Sequence, residues 1–305
     1  MATYTASHQS GPLSMLLLAS KILITFATVV LLASVAERLG PRQAGILSGF
    51  PLGTAIALFF FGWQQGAVFA AQSAVYTLAG LASAICLAWG YLKLLQLKNQ
   101  HLPLPEALES RPKLTATAVN SRGLSIWIIP AIFISLVCFL VSSWLLQFLP
   151  ASRWLNLALV AIAIIFFRQI FKPIPEHKIQ ISQKTKKTDK LKTLFFRASI
   201  ATLTILLITG LAELLGPTRA GLLAAFPISF FPLMLILHIS HGEQALAATI
   251  KHYPDGLGAL VVYCFSVSWL YPIIGIGWGT IVCLLLSCFY LWVYSKLILS
   301  KIIAS

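Results

Sequence analysis

The sequence predicts an all-α, polytopic membrane protein of about nine transmembrane helices: four helices, a linker helix and four more, in an inverted-topology internal repeat. Three observations predict it. Of 305 residues, 58% are hydrophobic and 10% charged, with a mean hydropathy of +0.88; an ordinary soluble domain carries about 25% charged residues. The basic residues gather in a few polar segments, and one sixteen-residue stretch occurs twice. This composition excludes a soluble globular enzyme, a disordered tail and a disulfide-stapled secreted domain.

A spanning helix needs about 20 apolar residues. Apolar runs bounded by breakers give candidate spans at 14–36, 43–62, 67–95, 124–148, 153–171, 194–212, 219–238, 254–272 and 275–297. The first ends in Ser34-Val35-Ala36, which resembles a signal-peptide cleavage site. The first thirteen residues carry no Lys or Arg, and the segment recurs later, so it reads as a retained span. Residues 98–122, with Pro103, Pro105 and Pro112, read as a solvated loop, as do residues 172–192, with Lys184, Lys186, Lys187 and Lys190. Gly275-Ile276-Gly277-Trp278-Gly279 opens the last span; with no following lysine it reads as close helix packing, not a phosphate loop. The expected units are a first membrane repeat at 1–150, a linker helix with basic loop at 151–193, and a second repeat at 194–305.

The net charge of +14 would suggest nucleic acid in a soluble chain. Here the charge lies between apolar runs, so no nucleic-acid partner is expected. With both basic loops cytoplasmic, 19 of the 22 Lys and Arg residues fall on that side; Lys21, Arg153 and Arg219 are the exceptions. Such asymmetry predicts a multi-pass protein of a bacterial-type inner membrane, N-terminus outside and C-terminus cytoplasmic. Its expected partners are the lipid bilayer and a small-molecule or ion substrate. Cys86, Cys138, Cys264, Cys283 and Cys288 all lie in apolar runs without a C-x-x-C pair, which argues against disulfides and zinc.

The duplicated stretch is AERLGPRQAGILSGFP at 36–51 and AELLGPTRAGLLAAFP at 212–227, identical at ten of sixteen positions at an offset of 176. The same offset pairs Lys21 with Arg197, Thr28 with Thr204, Gly66 with Gly242 and Gly80 with Gly256. In the expected topology the first copy enters from outside and the second from inside, so the copies are inverted. Inverted repeats recur among secondary transporters, although fold-level likeness alone does not prove transport.

Residues 220–253, AGLLAAFPISFFPLMLILHISHGEQALAATIKHY, carry an A-G-[LI]-x3-FP core, an apolar span and G-x-[EQ]-A-L-x-A-T-I. In this they resemble the GlpM-like family of small integral membrane proteins. The first copy keeps Ala44-Gly45 and Phe50-Pro51, but A-V-F-A-A-Q-S replaces the last motif. Members of that family have about one repeat's length, so the resemblance implies a tandem fusion of two. It implies no substrate and no catalytic residue.

Candidate site residues come from the repeated turn. Glu37 and Glu213 end one span, and Gly40-Pro41 and Gly216-Pro217 follow. A proline suits the start of a helix, and a helix start beside Arg42 or Arg219 can bind an anion. The alternative is a capped, charge-neutralised hairpin at the lipid interface. Gly45-x3-Gly49 and Gly221-x3-Ala225 permit close helix approach. Phe50-Pro51 and Phe226-Pro227 break the next helix in each copy, either to line a central site or simply to kink it. Lys21 and Arg197 lie sixteen residues before the glutamates, about 24 Å along a helix. Inversion brings Lys21 level with Glu213, and Arg197 with Glu37, as candidate cross-repeat ion pairs. His238, His241, Glu243, Lys251, His252 and Asp255 read as an ordinary polar connection without a metal-ligand set. No nucleophile–base pair, paired carboxylates or cofactor fingerprint occurs, so neither enzyme activity nor a cofactor or metal is expected. The leading reading is a small secondary transporter or flippase-like carrier; the alternative is a non-transporting scaffold or accessory subunit.

Overall fold

A computed structural model describes the backbone of residues 19–20, 22–24, 26–27, 50–101, 112–175 and 187–303. Every regular element among these residues is helical. The elements are α1 (Leu52–Gln65), α2 (Ala67–His101), α3 (Pro112–Leu146), α4 (Arg153–Phe171), α5 (Lys187–Ala224), α6 (Phe230–Ile274) and α7 (Ile276–Ile303). Helices satisfy their own backbone groups, which is what an apolar solvent demands. Among the described residues, six stretches are long and apolar enough to span a membrane: Ala67–Leu97, Trp127–Leu146, Arg153–Phe171, Ala198–Ala224, Gly242–Ile274 and Ile276–Lys296.

The expected span at 153–171 coincides with α4, but others differ. The one at 43–62 is described only from Phe50, where α1 has 14 residues. That at 219–238 is interrupted at residues 225–229. The one at 254–272 begins earlier, at Gly242, so Glu243, Lys251, His252 and Asp255 lie on helix and not in a connection. Ala245, Leu246, Ala248 and Ile250 supply a buried face there, and Glu, Lys and Ala are good helix formers. Helix also extends further than expected into both basic segments. Helix α2 continues through a proline-free, lysine-containing stretch to His101; α3 opens on Pro112 and α5 on Lys187.

Four glycines punctuate these helices. Gly66 (φ 93, ψ 161), Gly216 (φ 70, ψ 171), Gly242 (φ 79, ψ −178) and Gly275 (φ 79, ψ 173) share a conformation that is essentially closed to other residues. Three of them fold the chain back without a loop. Phe61 then meets Phe69 across Gly66, with ring centroids 5.9 Å apart. Phe230 stacks on Tyr253 at 3.8 Å across Gly242, and the Tyr271 and Thr280 hydroxyls lie 2.7 Å apart across Gly275.

Helix α2 is the centre of the bundle. Its spanning window is 72% buried, against 22% for α3 and 17% for α4 and for α7. The outer helices present Phe133, Val141, Ile162, Phe166, Leu285 and Phe289 outward, a surface as apolar as the lipid tails it would meet. Helix α4 fixes relative directions. Asn156 donates to the Val75 carbonyl (3.1 Å) and Phe167 meets Trp89 (6.4 Å), so α4 runs parallel to α2. Arg153 donates to the Ser268 carbonyl (3.0 Å) and Arg168 approaches Asp255 (3.4 Å), so α4 runs antiparallel to the 243–274 limb of α6. Helix α2 and that limb are therefore antiparallel to each other.

Candidate functional site

Two interruptions of helical backbone meet inside the bundle. Pro51 precedes α1, where Leu52 N–H donates to the Phe50 carbonyl (2.9 Å) and Ala55 N–H to that of Pro51 (2.7 Å). Helix α5 ends at Ala224, and residues 225–229 are non-helical until α6 opens at Phe230. Turn-like hydrogen bonds hold this stretch: Phe226 N–H to the Leu223 carbonyl (2.9 Å), Ile228 N–H to that of Phe226 (2.8 Å). The last carbonyls of a helix lack partners within it. Here side chains from the other half supply them. The Thr54 hydroxyl donates to the Ala224 carbonyl (3.2 Å). The Thr77 hydroxyl shares its proton between the carbonyls of Gly221 (2.9 Å) and Ser73 (2.8 Å).

Small residues allow this approach. A Cβ on Gly221 would overlap the Ser73 carbonyl oxygen, and one on Gly80 would lie 2.7 Å from Ala225 Cβ. The crossing borders a half-open cavity of about 20 Å³ lined by the first turn of α1 (Gly53, Thr54), the 225–229 stretch and Tyr253. That is room for about one water molecule. No charged side chain lines it, so the arrangement suits a polar group or dehydrated ion held by hydroxyls and backbone.

The sequence-derived candidates separate into two groups. Phe50, Phe226 and Pro227 line the cavity, Pro51 is buried beside it, and Gly221 makes the close approach to α2. Among the described residues, the charged candidates Glu213 and Arg219 do not line it. Glu213 is exposed near the end of the first α5 limb and forms no ion pair with another described residue. Pro217 opens the second limb, from which exposed Arg219 donates to Gln147 Oε1 (3.1 Å). Lys21, Glu37, Pro41, Arg42 and Gly45 lie outside the described residues, as does the side chain of Arg197. Both candidate cross-repeat ion pairs therefore fall outside them too.

Sequence reasoning missed the polar groups that hold the crossing, Thr54 and Thr77, and also buried Asn156 on lipid-facing α4. A lone Asn in an apolar run was the available signal. The polar cluster read as a simple connection is also more organised than expected. His238 is 1% exposed and its Nδ1 lies 2.7 Å from the hydroxyl of Tyr91, itself 0% exposed. Lys251 donates to the Ile174 carbonyl (2.7 Å), while Arg168 and His252 (3.6 Å) flank Asp255. Among the described residues no group of three or more His, Cys, Asp or Glu could hold a metal ion.

No protein-family model matches the chain, and no curated protein or solved structure matches it.

Proposed function

We propose that the chain is a small secondary carrier of a bacterial-type inner membrane, N-terminus outside, whose substrate path crosses the two Phe-Pro breaks. One observation carries this reading: non-helical backbone at residues 225–229 meets the start of α1 around a cavity inside the bundle. Fourteen residues of α1 set Pro51 about 21 Å from Gly66, and the 217–224 limb sets Ala225 about 12 Å from Gly216. With Gly66 and Gly216 at the membrane boundary, as this reading has them, both breaks would fall within a hydrocarbon layer about 30 Å thick. Irregular backbone at that depth is tolerated where protein or a water-lined cavity satisfies it, which is how transporters build midplane sites.

An inverted repeat underlies the proposal. Gly66 and Gly242 break their helices 176 residues apart with the same backbone conformation, and the segments after them run antiparallel. Two copies related by an in-plane two-fold axis would have this arrangement. The resemblance of residues 220–253 to the GlpM-like family belongs to the same proposal, with the chain as a tandem of two such units. A second reading, a non-transporting scaffold, is favoured by the small volume of the cavity, about 20 Å³.

Thiol accessibility separates the two. In full-length protein with its five cysteines replaced by serine or alanine, Thr54→Cys and Ser229→Cys are introduced singly into sealed vesicles. A carrier that opens alternately should let a membrane-impermeant thiol reagent modify both positions from at least one side. Protection of both positions from both sides would establish the scaffold instead.

A further inference from the structure

The short limb of α6, residues 230–241, joins two places that matter. One end adjoins the cavity through Ser229; the other ends at Gly242, whose conformation only glycine holds comfortably. His238 lies on this limb, eight residues and about 12 Å from Phe230. It is buried, and its imidazole is hydrogen-bonded to buried Tyr91 of central helix α2. The rings meet edge-on, centroids 5.7 Å apart. An ionisable side chain inside a membrane bundle is costly, and such groups commonly mark ion or proton pathways.

We propose that the Tyr91–His238 pair is a proton-binding site that couples protonation to movement of the 230–241 limb, and so to the state of the central cavity. This rests on the carrier reading. The step is simple: a proton from water adds to the bare imidazole nitrogen, forming one N–H bond, and leaves by the reverse reaction. Both nitrogens are donors in the protonated ring. The Tyr91 hydroxyl can then only accept from His238, and its own hydrogen turns to another acceptor. The pair's hydrogen bond joins two rigid helices, so a change in its polarity acts on their packing.

The surrounding charges fit a single proton site. Glu243 lies just past Gly242, five residues from His238 in sequence, and its charge acts on Tyr91. Among the described residues, Tyr253 of the long α6 limb is a further titratable group nearby, stacked on Phe230; the side chain of His241, on the short limb, lies outside them. Of the charged side chains described at this end, Arg168 and His252 meet Asp255, and Lys251 donates to the Ile174 carbonyl. The site also occurs once. At the 176-residue offset, His238 corresponds to Gly62 and Tyr91 to Val267, so the other copy has no equivalent pair.

The test uses full-length protein in phosphatidylcholine nanodiscs and vesicles, with the proton itself as probe. Nitrogen NMR of labelled histidine, assigned with His238→Gln, should show the His238 ring gaining its second N–H as the pH is lowered. Tyr91→Phe, which keeps the ring but removes the hydroxyl, should displace that titration. Labelling of Thr54→Cys, taken relative to a fully exposed reference thiol so that thiol ionisation cancels, should still depend on pH, by up to about tenfold per unit for one bound proton, and lose that dependence with His238→Gln. A His238 ring that never changes charge, or a labelling rate that keeps one ratio to the reference thiol at every pH, overturns the proton site and leaves the carrier reading standing. A Thr54→Cys thiol unreactive from both sides rejects the carrier, and the coupling proposal with it.

Discussion

At the scale of the residue, Gly221 has the clearest physical reason to be what it is. Its neighbour is the Ser73 carbonyl, a backbone atom that cannot swing aside. Overpacking of this kind costs roughly 1–3 kcal/mol. Gly221→Ala should therefore lower the thermal midpoint of the detergent-solubilised protein. Gly210→Ala is the control: its Cβ meets nothing within 4 Å, and alanine favours a helix by roughly 0.5–1 kcal/mol over glycine. That variant should melt at or above the parent temperature. The small-x3-small spacing made Gly221 legible in the sequence. Thr77 was not legible. Thr202, Thr209 and Thr249 turn their hydroxyls back on their own helices, to the carbonyls of Ala198, Ile205 and Ala245. Thr77 does this and also reaches Gly221 of another helix. Nothing local distinguishes the two habits, because the second acceptor is supplied by packing.

At the scale of the element, the hairpin glycines set where helices end. Nothing lies within 4 Å of a Cβ placed on Gly66 or Gly242, so only backbone strain opposes a side chain there. Alanine at either should cost roughly 1–3 kcal/mol, seen as an earlier unfolding midpoint in a denaturant titration. If both alanine variants unfold with the parent midpoint, these glycines do not set the turns. Their pairing at 176 residues was visible in the sequence. Their conformation was not, because glycine serves equally where helices touch. Gly80 approaches Ala225, and Gly258 lies against the Tyr290 ring, both within helices. Helix ends were misjudged for a related reason. The 243–255 stretch is polar by composition, yet it carries a buried apolar face and good helix formers, so the helix continues through it.

At the scale of the whole molecule, three hairpin connections share one end of the bundle. Exposed Trp63, Trp144, Trp154, Trp269 and Trp278 lie beside the α1–α2, α3–α4 and α6–α7 turns. Tryptophan favours the membrane–water boundary, where its ring is buried and its N–H remains wet. If the repeats are inverted, reporters fused after Glu37 and after Glu213 should report opposite compartments. A shared compartment would remove the inverted repeat and leave the breaks as features of an unsymmetrical bundle.

Membrane character, helical class and the duplicated turn were determined by the order of residues alone. Each depends on composition or on a pattern that can be compared along one chain. Which residues surround the centre depended on tertiary structure. Glu213 and Arg219, the two charged candidates among the described residues, stay at the surface, while Thr54, Thr77, Tyr91 and His238 form buried polar contacts. The reason is physical: an ionised group is held near water by its hydration, whereas a hydroxyl or imidazole can be buried once it has a hydrogen-bond partner. That partner comes from a helix distant in sequence, so only the packed bundle supplies it.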